Sequence, residues 1–440
     1  MKLREVSVVM LALLLAAMAM VPMVSAGEIS QSDKVQMAEL NAFAASENSK
    51  PLPQLQYDKS PLMVSVTGEF QVNVNAQNSP VRSRIATSAT PEVSQLPFGA
   101  IVYDSGSITT VFDPTGKQLF AVDDATTPLV STPDGSLPAT SVFEIPDNSL
   151  IMENQNTINV FYDNKRILTV MGNPAGARKK TVSKMKTYSP GTLSPQWIEY
   201  GETAPISSIG QFSARYNVPK KPTLTKNFTT GHPSLDGSQS TIWNGLQDRN
   251  GTYLLQPVLE WYIRHNAGDP YPYEANWSIA TWWISPWEFN NNGFHSTRRY
   301  GIPSTGELVS TGDLMQGNMY YNAGSWSGAI TDLTLGISSS LQLNTTQSSN
   351  LTYRNLRAYT VLEGWDPTII GMSTTNFNSN YIPGNITFGN IIINDRDGNS
   401  VIPSGMPGYI NSATWDVTSY GLSVTNTSWP TSIKLNTGNI

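Results

Sequence analysis

The sequence contains no cysteine. A chain without it has no disulfides, so its stability has to come from a large sheet core, glycans or tight turns. Histidine is nearly as scarce: His232, His265 and His295 are the whole supply. They are scattered, without a His-x-x-x-His pair or a cysteine partner, which argues against a zinc site. No serine sits in an elbow motif, which argues against a Ser-His-Asp triad. No metal or cofactor is expected. Charge is sparse at 14% of residues, with 27 basic against 33 acidic side chains. The chain offers no basic patch for nucleic acid. After the first 26 residues no run approaches the roughly 20 apolar residues that a membrane span needs.

What is abundant points elsewhere. Glycine (33), proline (29) and aromatics (10%) accompany many Ser, Thr and Asn residues, a mixture that suits a secreted β-rich protein. Residues 1–26 read as a signal peptide: Lys2 and Arg4, an apolar run from Val8 to Val21, then Val24-Ser25-Ala26 as a cleavage site. Its removal leaves 25 basic against 32 acidic residues, a formal charge of −7. A secreted, extracellular monomer with no stable membrane insertion is expected. Sequons begin at Asn227, Asn250, Asn276, Asn344, Asn350, Asn385 and Asn426, and none lies earlier, so a glycoprotein with a compositional boundary near residue 220 is expected.

Taken in order, the chain divides into a signal peptide (1–26), a β-rich propiece or accessory domain (27–172), a linker (173–220) and a β-sandwich (221–440). The mature chain starts with a polar stretch in which Met37 to Ala45 suits one or two helical turns. Strand-like pieces then recur between turn signals such as Asp113-Pro114-Thr115-Gly116 and Pro133-Asp134-Gly135. In the linker, Arg178, Lys179, Lys180, Lys184 and Lys186 stand without an acid, either as a solvated connector or as an exposed processing site. Asp395-Arg396-Asp397-Gly398-Asn399 lacks the closing Glu of a calcium loop and reads as a hairpin turn.

Two runs carry the candidate chemistry. In YLLQPVLEWYI, from Tyr253 to Ile263, strand alternation places Gln256, Val258, Glu260 and Tyr262 on one face. In RAYTVLEGW, from Arg357 to Trp365, the same rule groups Arg357, Tyr359, Val361 and Glu363. An amide and a carboxylate can thus face a common cleft.

These runs belong to an ordered series: Trp243-Asn244-Gly245, Leu255-Gln256, Glu260-Trp261, Trp282-Trp283-Ile284-Ser285-Pro286, Gly312-Asp313, Trp326, Asp332-Leu333-Thr334 and Tyr359-Thr360-Val361-Leu362-Glu363. The series resembles the glutamic peptidases, or eqolisins, over roughly half the chain. The resemblance implies a concanavalin A-like antiparallel β-sandwich that hydrolyses peptide bonds in acid, with Gln256 and Glu363 as the catalytic pair. Two departures stand out. Pro257 follows Gln256 and, lacking an N–H, calls for an edge strand or a bulge. Trp283 stands where fungal members place a substrate-binding acid. The missing cysteines, where fungal members have disulfides, suit a prokaryotic-type member.

The chemistry is sufficient by itself. A carboxylate with a pKa of about 4.3 can take a proton from water in acid, and an amide N–H can hold the negative oxygen of a tetrahedral intermediate. Trp243, Glu260, Trp282 and Trp283 are candidate substrate-binding residues for a protein or peptide. The indoles of Trp243, Trp282, Trp283 and Trp326 remain open between sandwich core and cleft lining. Glu260 and Glu363 as a carboxylate pair of the glycosidase kind is one alternative. A carbohydrate-binding sandwich and a cell-envelope surface protein are the others.

Overall fold

Turns set where the strands begin. At Asp113 the carboxylate accepts hydrogen bonds from the Thr115 N–H at 2.8 Å and the Lys117 N–H at 3.0 Å, and Gly116 takes a φ of +89°. Asp395 repeats the device, accepting from the Asp397 N–H at 2.9 Å and the Asn399 N–H at 2.8 Å. Asn394 and Ser400 bridge antiparallel across it, so the acidic stretch 395–399 closes a hairpin.

A computed structural model of the chain describes residues 31–56, 82–83, 94–105, 108–124, 129–132, 135–153, 157–172, 197–203, 205–222, 240–248, 253–263, 275–291, 294–304, 307–322, 324–344, 356–364, 382–401, 423–426 and 432–437. The signal peptide and the basic segment 177–186 lie outside the described residues. Among the described residues one α-helix, α1 (Gln31–Asn48), precedes the strands. It is longer than the patch from Met37 to Ala45 predicted, because the flanking Gln31, Lys34, Gln36 and Glu47 are themselves good helix formers. Leu40 and Ala44, with Phe43, pack on Leu150, Met152 and Phe161.

The strands that follow are β1 (Arg82–Ser83), β2 (Ser94–Gln95), β3 (Ala100–Asp104), β4 (Ile108–Phe112), β5 (Gln118–Asp123), β6 (Leu129–Thr132), β7 (Gly135–Pro138) and β8 (Phe143–Glu144). Next come β9 (Ser149–Glu153), β10 (Thr157–Tyr162), β11 (Lys165–Gly172), β12 (Trp197–Glu202), β13 (Gln211–Asn217), β14 (Ser240–Gln247), β15 (Leu254–Ile263), β16 (Ala275–Asn291) and β17 (Phe294–Pro303). The last are β18 (Glu307–Val309), β19 (Leu314–Asn322), β20 (Ser325–Asp332), β21 (Ile337–Asn344), β22 (Arg357–Gly364), β23 (Ile386–Asn394), β24 (Ser423–Asn426) and β25 (Ile433–Asn436). The all-β class expected from composition is what the chain forms.

Two sheets dominate. A 13-stranded sheet runs in the order β24-β25-β23-β13-β19-β20-β21-β9-β10-β11-β3-β4-β5, and a seven-stranded sheet runs β12-β22-β14-β15-β16-β17 with β18 also on β16. Most neighbours are antiparallel, but β9 joins β21 in parallel, with Ser149 opposite Leu341. Strands from before residue 172 and from beyond 221 therefore share one sheet. Within 173–220, the stretch read as a linker, β12 edges the smaller sheet and β13 lies inside the larger one.

The sheets pack face to face as a sandwich. Ile242, Leu246, Leu255, Leu259, Trp283 and Leu362 of the smaller sheet share one core cluster with Phe212, Met315, Met319, Trp326, Ile330 and Leu341 of the larger. Each such side chain contributes about 1.5–3 kcal/mol when fully buried. The alternate residues of the smaller sheet point away from its partner, and these carry the candidate site.

Candidate active site

The seven-stranded sheet builds the site in rows. Glu363 on β22 stands opposite Thr241 on β14, which stands opposite Glu260 on β15, which stands opposite Ser278 on β16. Residues directly opposite one another project to the same side of a sheet, so all four share the outer face. Four residues along, Tyr359 stands opposite Gly245, and Gln256 opposite Trp282. The row between holds Val361, Trp243, Val258 and Ala280. Gln256, Glu363, Trp243, Glu260 and Trp282 thus share one face.

The two strands singled out in the sequence are not neighbours, because β14 lies between them. Trp243 on β14 stands between them. Its indole N–H donates to Glu363 Oε2 at 3.2 Å. The far edge of the same ring comes within 2.9 Å of where a Cβ on Gly245 would stand, a point 3.1 Å from Gln256 Cβ. Glycine at 245 therefore makes room for the indole, and the indole spans the interval from carboxylate to glutamine. Thr241 Oγ1 also donates to Glu363 Oε2, at 3.2 Å.

Glu363 is fully buried. Burial raises its pKa well above the ordinary carboxylate value, opposed in part by the hydrogen bonds from Trp243 and Thr241. Its other oxygen, Oε1, has no hydrogen-bond partner among the described residues, and neither has Nε2 or Oε1 of the buried Gln256. Glu260 accepts a hydrogen bond from the Trp282 indole N–H, so a second tryptophan–carboxylate pair flanks Gln256. Beyond Gln256 the face ends in an ion pair between Arg357 and Glu202 at 3.1 Å.

Trp283 is not part of this group. It stands opposite Leu255, on the inner face, where it stacks on Tyr253 with centroids 5.6 Å apart and donates to Glu153 Oε1 at 2.9 Å. Trp326 is likewise in the core between the sheets. Adjacent residues of one strand cannot share a face, so of Trp282 and Trp283 only the former reaches the site.

Pro257 corrects a second expectation. It lies in a central strand at neither an edge nor a bulge: the β14–β15 pairing keeps one register on either side, from Thr241 opposite Glu260 to Leu246 opposite Leu255. The missing N–H leaves a local gap in the ladder and no shift. The sequon at Asn344 falls on a buried side chain whose Nδ2 donates to Asn41 at 3.0 Å. Sequence reasoning missed Thr241. Its signal was present, since it precedes Trp243 by two residues and so shares its face.

No family model and no curated protein matches the chain. Among solved structures, it is similar to Scytalido-glutamic peptidase with a peptide-based transition state analog, at 17% identity over 54% of this chain and 97% of that one, with a TM-score of 0.33. It is also similar to SCP-B, a member of the eqolisin family of peptidases in complex with the tripeptide Ala-Ile-His, at 16% identity, 54% and 97% coverage and a TM-score of 0.29. Likeness at this level transfers no residue roles.

Proposed function

We propose that the chain is a secreted acid endopeptidase of the glutamic type, in which Glu363 activates a water and Gln256 holds the intermediate. One observation supports this above the rest. Three polar atoms of two buried side chains, Glu363 Oε1 and Gln256 Nε2 and Oε1, have no hydrogen-bond partner among the described residues, and both side chains stand on one face of one sheet. Leaving such an atom unpaired costs about 1–3 kcal/mol, and unsatisfied groups gathered at one place mark where a ligand supplies the missing partners.

The arrangement sorts the roles. Thr241 and Trp243 hold Glu363 Oε2, which leaves Oε1 to take a proton from water as the oxygen of that water attacks the scissile carbonyl. The Gln256 amide N–H₂ donates to the oxygen that becomes negative, while its carbonyl accepts from the attacking water. Protonated Glu363 then gives its proton to the leaving nitrogen, the C–N bond breaks, and the carboxylate returns. Burial holds the Glu363 pKa above the ordinary carboxylate range. The base role requires the ionised form, which the hydrogen bonds from Trp243 and Thr241 favour.

The test is digestion of a denatured protein between about pH 2 and pH 5, with products read by mass spectrometry. Gln256→Ala is expected to lower the rate about a hundred- to a thousand-fold with the melting transition retained. Glu260→Gln is expected to keep most of the activity. Loss of activity in Glu260→Gln with Gln256→Ala unaffected moves the chemistry to the carboxylate pair. Absence of cleavage at any pH removes the peptidase and leaves the aromatic face as a binding surface.

A further inference from the structure

The outer face of the seven-stranded sheet points away from the partner sheet, yet Trp243 and Trp282 are only 0% and 1% exposed. They belong to an apolar cluster whose other members on this sheet include Tyr200, Leu254, Val258, Ile284, Tyr359 and Val361. The two members of that cluster that do not stand on the sheet are Leu137, on β7, and Val142, just beyond the short 3₁₀ turn Ala139–Ser141. Both are buried.

β7 pairs with β6 alone, as a two-stranded hairpin hydrogen-bonded to neither large sheet among the described residues. The segment is tethered at its far end, where Thr140 Oγ1 donates to Asp124 at 2.7 Å and Ile145 bridges Ser304. Lifting Leu137 off the face therefore breaks no ladder of the sandwich.

We propose that the segment Gly135–Val142 lies where an extended peptide substrate binds and blocks the site in cis, with Leu137 and Val142 filling subsites for branched aliphatic side chains. This rests on the peptidase reading above. Val258 follows Gln256 on the same face, Trp282 stands opposite it, and Val361 precedes Glu363 on the same face. An acidic substrate side chain placed among them, beside Glu260 and Glu363, loses its hydration without gaining a partner, whereas an aliphatic one gains by burial. The substrate class is thus an unfolded segment with Leu, Val or Ile beside the bond that is cut.

The experiment uses the full chain and two variants, Leu137→Arg with Val142→Arg, and the milder Leu137→Ser, each checked for a cooperative melt. Hydroxyl-radical footprinting reads the oxidation of Trp243 and Trp282, and hydrolysis of a peptide library at acid pH reads activity and cleavage sites. The expected result is an increase of about tenfold or more in both footprints and in kcat/KM, with cuts beside branched aliphatic residues. A synthetic peptide spanning Pro133 to Pro146 should reverse both effects competitively, raising KM and leaving kcat unchanged. Folded variants with wild-type footprints and wild-type hydrolysis overturn the proposal, and cuts beside polar or charged residues in preference to aliphatic ones overturn its subsites. Footprints that rise and are reversed by the peptide, with no hydrolysis in any variant, support the cover and instead remove the peptidase.

Discussion

On the inner face of the seven-stranded sheet, buried polar groups tie the two layers together: Asn244 Nδ2 donates to Gly317 O at 3.2 Å, Thr281 Oγ1 to Ser339 O at 2.7 Å and Trp283 Nε1 to Glu153 at 2.9 Å. On the outer face, built from the alternate residues of the same strands, Trp243 and Trp282 donate to Glu363 and Glu260 of their own sheet, and Gln256 finds no partner among the described residues. The residue types are alike on both sides, and so is the burial. What differs is where the hydrogen bonds lead. Those of the inner face cross to the other layer, and those of the outer face stay within their own sheet.

The contrast can be broken at single residues, taken here from the largest expected effect on stability to the smallest. Glu199 pairs in register with the core residue Leu362 and is the inner-face counterpart of Glu363. Burial pushes its pKa up to about 9 from 4.5. A carboxyl raised on folding gives full stability below the unfolded pKa, and that stability is lost as pH climbs from about 4.5 towards about 9. Glu199→Gln should therefore flatten the pH dependence, stabilising the chain on the order of 3 kcal/mol near pH 7 and little near pH 4, with hydrolysis unchanged. Melting curves across that range check it.

Gly317→Ala places a Cβ 1.9 Å from Asn244 Oδ1. It is expected to cost about 1–3 kcal/mol in denaturant unfolding, with activity per folded molecule retained. Gly245→Ala meets the movable edge of the Trp243 ring instead. It should cost less stability, on the order of 1 kcal/mol, but displace the indole that spans the pair and lower kcat/KM up to about a hundredfold. Equal activity losses in the two glycine variants would erase the distinction between the faces.

Much of this was legible in local pattern. The alternation of Gln256 with Glu260, and of Tyr359 with Glu363, is a property of any strand, and it put these side chains on one face as the structure has them. The same alternation already implied that Trp282 and Trp283 diverge. Strand order is different, because nothing near Gln256 or Glu363 in the chain records that β14 lies between them, and pairing across more than a hundred residues is a tertiary outcome. The burial of Leu137 and Val142 in one cluster with the outer face is of the same kind, since a short strand and turn carrying two apolar residues reads the same whether it seats on a sheet or on solvent. Pro257 shows the opposite error. A sound rule about a missing N–H overreached, because a sheet with partners on both sides of the gap tolerates one lost rung.

The most direct measurement follows Glu363→Gln through thermal melting near pH 7 and hydrolysis near pH 4. A buried carboxyl kept for chemistry and not for stability should, on conversion to an uncharged isostere, leave the melting temperature equal or higher and abolish cleavage. A variant that melts lower and still cuts its substrate at the original rate would show that this side chain belongs to the framework and that the chemistry lies elsewhere.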